Sequence, residues 1–209
     1  MDRRLFHTLV LATVLCASSV LAQTAPSPTA DAAPRDQVVL ETSAGAIVIA
    51  LDPAAPVTSA NFLRYVEEKR LDGVDFYRAM KITPTMGLIQ GGTQNAPDRI
   101  LPPIAHEPTS ETGLSHVDGA VSMARFDPGS ATGDFFIIVG DVRSLDAGRG
   151  APGDPGFAVF GRVVQGMDIV RGIMTSPTSP TEGEGSMRGQ MLEPRIRIVS
   201  ARRVTADPD

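Results

Sequence analysis

The amino-acid sequence predicts a mainly β protein, a closed and largely antiparallel barrel capped by two helices. Three observations lead there. Short runs of β-branched and apolar residues recur between glycine-containing turns. Two stretches carry helical spacing. One run, Asp134-Phe135-Phe136-Ile137-Ile138-Val139, is apolar almost throughout, as expected of a strand covered on both faces. The chain has no internal repeat.

Val38 to Thr42 and Ala46 to Leu51 flank Ser43-Ala44-Gly45 and read as strand, tight turn, strand, with Ile47, Ile49 and Leu51 on one face. Asp52-Pro53-Ala54-Ala55-Pro56 breaks that pattern. Thr58 is placed to cap a helix from Ser59 to about Lys69, whose apolar stripe is Phe62, Leu63 and Val66, and Leu71-Asp72-Gly73 ends it. Val74 to Met80 and Gly87 to Gly92 are short strands bracketing Lys81 to Met86. Beyond a long Pro-containing loop, Gly119 to Ala124 and Asp134 to Val139 are strands, then Phe157 to Val164. A second short helix covers Gly166 to Ile173. The Pro/Gly/Ser/Glu stretch from Ser176 to Gly189 reads as a surface loop, and a last strand covers Pro194 to Val204, with Ile196, Ile198 and Ser200 on one side.

The 209 residues include 42% hydrophobic and 21% charged positions, which suffices for one cored domain and excludes disorder or coiled coil for the whole. A single cysteine, Cys16, excludes a disulfide framework and any multi-thiolate zinc site. A net charge of −5 supplies no basic field for a phosphate backbone, so no nucleic-acid partner is expected. Arg3-Arg4, the apolar run Leu9 to Ala17, and Ser18-Ser19-Val20-Leu21-Ala22 have the layout of an export signal over residues 1–22, cleaved after Ala22. The apolar run falls short of the roughly 20 residues of a membrane span, which argues against an uncleaved anchor. Leu15 before Cys16 argues against a lipid anchor there. Adjacent arginines leave general and twin-arginine export both open. Residues 23–36 are Pro/Ala/Thr-rich and read as a flexible linker, leaving a folded domain over 37–205 in a cysteine-free, periplasmic or secreted protein.

Generic catalytic motifs are weak. Gly91-Gly92 lacks the spacing of a nucleotide loop. His106 and His116, with Glu107 and Asp118 near, lack the spacing of a metal pair, so no metal or cofactor is expected. No G-x-S-x-G occurs, and Ser115-His116 are merely neighbours. Asp134 or Glu107 as a hydrolytic carboxylate has nothing to single it out.

The specific signal is a set of segments in register: Val39-Leu40-Glu41-Thr42-Ser43-Ala44-Gly45, Asn61-Phe62-Leu63, Asp72-Gly73-Val74-Asp75-Phe76-Tyr77-Arg78, Ile89-Gln90-Gly91-Gly92, Gly119-Ala120-Val121-Ser122-Met123-Ala124-Arg125, Ser130 to Ile137, and Val159 to Met167. Together they resemble the cyclophilin family from about Val38 to Val204, in its bacterial form. That resemblance implies an eight-stranded barrel closed by two helices, and peptidyl-prolyl cis–trans isomerisation without metal or covalent intermediate. It also implies Pro-containing polypeptide partners, with a monomer as the expected state.

By the same resemblance Arg78 matches the catalytic arginine, Gln90 the glutamine that orients it, and Phe136 the aromatic floor of the proline pocket. Phe135 is then the core residue. Phe76 and Leu88 belong to the substrate-binding set, Ala124 and Arg125 line the peptide groove, and Phe157 stands at the rim. The chain departs from the family at several points. About four extra residues separate Arg78 from Gln90. Gly87 or Met86 stands where a phenylalanine packs the pocket, leaving that wall open or rebuilt by Met80 and Met86. Asp134 replaces a glutamine and puts a carboxylate near Arg78, either locking it or drawing it off substrate. The rim tryptophan linked with strong cyclosporin binding is missing, with Pro152 or Gly153 nearest. These departures motivate a second reading, a proline-peptide-binding chaperone module on the same fold with weak or no catalysis.

Overall fold

The computed structural model describes residues 36–204. The expected export signal, with Cys16, and all but the last residue of the expected linker lie outside the described residues, as does Thr205 at the end of the expected domain. Eight strands form the barrel: β1 (Gln37–Thr42), β2 (Gly45–Leu51), β3 (Asp75–Thr83), β4 (Met86–Gly92), β5 (Ala120–Met123), β6 (Phe135–Val139), β7 (Val159–Gln165) and β8 (Met191–Val204). Around it they run β1-β2-β7-β5-β6-β4-β3-β8, antiparallel at every pairing, and β8 closes back on β1. The two expected helices are α1 (Pro56–Glu67), packed on β7 and β8, and a second one (Met167–Thr175), packed on β2, β3, β4 and β6. A one-turn helix, α2 (Thr109–Thr112), interrupts the long loop the sequence left irregular, so the second capping helix is α3.

Period-two patterning sorts side chains into two apolar layers. Ile47, Ile49, Leu51, Phe76, Phe135, Ile137 and Phe160 fill the barrel interior with Phe62 of α1 over them. Phe62 meets Phe135 edge to face at 5.3 Å and Phe160 at 5.0 Å, a favoured aromatic arrangement. A smaller layer, Leu88, Phe136, Ile138, Val142 and Val159, lies on the outside of the wall. Thus β6 is covered on both faces, as its unbroken apolar run requires.

Four local expectations are corrected. α1 begins at Pro56, whose missing N–H and fixed φ suit a first helical position. Thr58 is therefore inside the helix, and no side chain of the preceding residue caps it; the Glu107 carboxylate instead accepts from the N–H groups of Val57 (3.1 Å) and Thr58 (2.7 Å). The apolar stripe includes buried Tyr65, whose hydroxyl accepts from the Leu101 N–H at 2.7 Å, while Leu63 is only partly buried. Lys81 to Met86 is not a loop: β3 and β4 extend across it, Thr83 pairs with Met86, and only Pro84 and Thr85 turn. In β8 the inward row is Ile196, Ile198 and then Ala201 rather than Ser200, because a bulge at Val199 advances the alternation by one residue.

Candidate active site

Strand register assembles the site on the outer face of the wall. Arg78 on β3 pairs with Gln90 on β4, Gln90 with Phe136 on β6, and Phe136 with Ser122 on β5. Directly paired residues share a face, so these four stand in one row across four strands. A register shift between Phe76 and Arg78 sets the start of the row. Phe76 falls on the other side: it is fully buried in the barrel interior, 5.7 Å from Phe135 ring to ring, and lines no part of the site. Its expected substrate contact is thus corrected, since a residue packed inside the wall cannot also face the groove outside it. Tyr77, at the register shift, lines the neighbouring cavity instead, hydrogen-bonded with Gln90, and burial pushes its phenol above the ordinary range.

Arg78 donates from Nη1 to Gln90 Oε1 at 2.8 Å, from Nε to Gln190 Oε1 at 2.8 Å, and from Nη2 to the Met80 sulfur at 3.5 Å. Burial lowers its pKa, with Tyr77 acting the other way. A guanidinium nonetheless stays charged. Among the described residues no carboxylate lies at ion-pair distance from it. The expected contact with Asp134 is not formed: that carboxylate accepts the Gln94 N–H at 2.8 Å and the Asn95 N–H. Desolvation raises its pKa, opposed by those two amides. Asp134 therefore anchors the Gln94-Asn95 turn and lines a cavity of about 320 Å³ with Tyr77, Gln90, Ala124, Arg125, Phe126, Glu184 and Met187. Glu107, the other carboxylate considered for hydrolysis, is engaged at the start of α1.

Beside this cavity lies a second, of about 190 Å³, lined by Arg78, Met80, Leu88, Gln90, Ala124, Arg125, Phe136, Leu145, Phe157 and Met187. Apart from Phe76 and Asp134, every expected site residue meets in this one space. Phe157 stands edge to face on Phe136 at 5.4 Å. Arg125 lies over the Phe157 ring at 4.9 Å and donates to the carbonyls of Gly156 and Phe126, which ties the 146–157 loop to the rim. Leu145 lines this cavity, and neither Pro152 nor Gly153, the positions nearest the missing rim tryptophan, lines either cavity. The wall is rebuilt by Met80 and Met187, while Met86 packs behind it. A side chain at position 87 has no room, since its Cβ would lie 2.0 Å from the Met80 carbonyl oxygen.

Phe136 is backed by a buried polar group. His116 stacks on it at 5.9 Å and 12°, its Nδ1 2.6 Å from Asp146 Oδ1 and its Nε2 3.0 Å from Ser122 Oγ. Burial lowers the His116 pKa against the pull of Asp146. Burial raises Asp146, but hydrogen bonds from Ser115 and His116 outweigh it and hold the carboxylate below its ordinary range. Neutral His116 thus donates from Nδ1 to an ionised Asp146 and accepts the Ser122 hydroxyl at Nε2. His116 and Ser122 are fully buried, so this Ser-His-Asp arrangement supports a ring and presents no nucleophile. His106 instead contacts the Pro155 carbonyl, and no group of three or more potential metal ligands comes together among the described residues.

The sequence reading missed Gln190, Met187 and Glu184, because a Gly/Ser/Pro/Glu-rich stretch carries no periodicity. The segment 176–189 is not a free surface loop: Gly183, Glu184 and Met187 line the groove.

The cyclophilin-type peptidyl-prolyl cis-trans isomerase family model matches residues 37–203. Peptidyl-prolyl cis-trans isomerase cyp18 of Streptomyces antibioticus is 41% identical over 151 residues, covering 70% of this chain and 87% of that protein. Peptidyl-prolyl cis-trans isomerase A of Dickeya dadantii is 40% identical over 159 residues, covering 72% and 77%. A crystal structure of a Cryptosporidium parvum cyclophilin, determined in the presence of the dipeptide Ala-Pro, shares the fold with a TM-score of 0.64 at 18% identity, covering 82% of this chain and 99% of that one. On the family match and these relatives, the chain belongs to the cyclophilin-type peptidyl-prolyl cis–trans isomerases.

Proposed function

We propose that the protein accelerates rotation about X-Pro bonds in exported polypeptides, with Arg78 stabilising the twisted amide. The observation that carries this reading is a guanidinium held by neutral oxygens at the edge of an apolar cavity floored by Phe136. Amide resonance opposes rotation by about 18–20 kcal/mol, and uncatalysed exchange takes tens to hundreds of seconds. In the twisted state the prolyl nitrogen regains its lone pair and accepts a hydrogen bond that the planar state cannot. A donor set in place beforehand favours that state selectively. Of the five guanidinium N–H groups, those not engaged by Gln90, Gln190 and Met80 remain for substrate. Phe136, Leu88 and Phe157 hold the proline ring, Ala124 and Arg125 flank the peptide, and exposed Phe126 extends the rim.

The layout of residues 1–22 supports export to the periplasm or beyond, after which no membrane segment is required; no helix among the described residues is long and apolar enough to cross a membrane. The closed barrel leaves no free strand edge for pairing, which supports a monomer.

Line-shape or exchange NMR on a short Ala-Pro peptide tests the reading: the wild-type protein accelerates exchange and Arg78→Ala loses most of the effect. An Arg78→Ala protein as active as wild type overturns the role of the arginine. Binding of the peptide without acceleration by wild type selects the chaperone module instead.

A further inference from the structure

We propose that Gln190 is a positioning residue for Arg78, holding the Nε end of the guanidinium so that the Nη hydrogens left over by Gln90 and Met80 are presented to the bound peptide; the proposal rests on the isomerase reading above. Gln190 Oε1 accepts from Arg78 Nε at 2.8 Å, a different nitrogen from the Nη1 that Gln90 holds. Its orientation is set independently, because its own amide nitrogen donates to the Ser186 carbonyl at 2.7 Å, and a flipped amide would lose both bonds. The backbone is anchored without help from the side chain. The Gln190 carbonyl accepts from the Ala79 N–H at 2.9 Å, next to Arg78, and its N–H donates to the Met187 carbonyl at 3.1 Å. Met187, in the same turn, lines both cavities. The segment therefore grips the arginine and completes the wall through residues three apart.

The chemistry suits the task. Two glutamine oxygens fix the plane of the guanidinium while leaving its charge uncompensated, whereas a carboxylate would compete with the substrate carbonyl for it. With Nε released, Gln90 and the weak, long contact with the Met80 sulfur hold the guanidinium less firmly, and only a preorganised donor lowers the barrier fully.

The test follows prolyl exchange at several peptide concentrations together with the Arg78 Nε–H resonance in ¹⁵N-labelled protein. For Gln190→Ala the expected result is kcat lower by about tenfold, KM within about twofold, and an exchange-broadened Nε–H, in a protein whose amide spectrum stays folded. Gln190→Glu, which restores an acceptor at the same reach, brings back a sharp Nε–H and part of kcat. Unchanged kcat in Gln190→Ala, or a loss confined to KM, overturns the proposal. If wild type itself gives no acceleration, the isomerase reading fails on its own, and the Nε–H signal then decides: persistence in Gln190→Ala overturns the positioning role, and its loss supports it.

Discussion

Phe135 and Phe136 are chain neighbours on β6, yet one belongs to the barrel interior and the other to the floor of the candidate site. The inner face of the wall is uniformly apolar and densely packed. The outer face carries a polar row, Arg78, Gln90 and Ser122, with Phe136 as its apolar member, covered by loops rather than by another sheet. Strand pairing serves both faces at once. The rigid inner layer fixes the register, and the register places the outer row to within a hydrogen bond's tolerance.

The most severe way to break this contrast is to truncate each of the two phenylalanines in turn. Phe135→Ala removes an inner ring that touches Phe62 and Phe76 and is expected to cost about 3–5 kcal/mol in chemical denaturation. Phe136→Ala should cost less stability but lower kcat/KM by roughly 10–100-fold, the equivalent of losing one buried aromatic contact with substrate. Equal stability losses with retained turnover in both would show that the faces are not specialised.

A milder probe is Gly87→Ala. The new Cβ meets the Met80 carbonyl, so the hairpin must shift, and a loss of about 1–3 kcal/mol is expected with weaker turnover through Met80. A stable variant with a fuller pocket would mean that the wall is pliable.

The pH dependence is smaller. His116 has a folded-state pKa below its unfolded value, so the unfolded chain binds more protons as pH falls below about 6.5. Stability is then lost on acidification through that window, and Asp146, also depressed, adds a loss of the same sign at lower pH. Asp134, raised by burial, acts oppositely near its own titration. Thermal melts from pH 7 to pH 5 should show the decline, shallower in His116→Gln; an identical slope would remove His116 from the account. Smallest is the response to cyclosporin: with Leu145 at the rim and no tryptophan, inhibition is expected to be weak, and sub-micromolar inhibition in the exchange assay would show the rim aromatic to be dispensable.

How far the sequence revealed this arrangement depends on what kind of constraint acts. Turn residues and short β-branched or apolar runs mark all eight strands, with period two where one face is buried and an unbroken apolar run in β6, which is buried on both; the resemblance points to Arg78, Gln90, Phe136, Leu88 and Phe157, which line one cavity. Phe76 was misplaced because adjacency to Arg78 in sequence says nothing about a bulge between them. For Asp134 the sequence suggests only proximity to Arg78, whereas two backbone amides claim the carboxylate. Gln190 carries no sequence signal because its contact with Arg78 spans 112 positions and depends on how β8 pairs with β3, which no local pattern encodes.

The pairing of β8 with both β1 and β3 has a consequence for biogenesis. Gln37 faces Val204, and Arg78 faces Met191, so the opening and the closing stretches of the domain are zipped together. Until the final 14-residue strand has been synthesised, two edges stay unzipped and Arg78 lacks the strand that brings Gln190 to it. The groove around Arg78 is therefore among the last parts of the domain to come into existence.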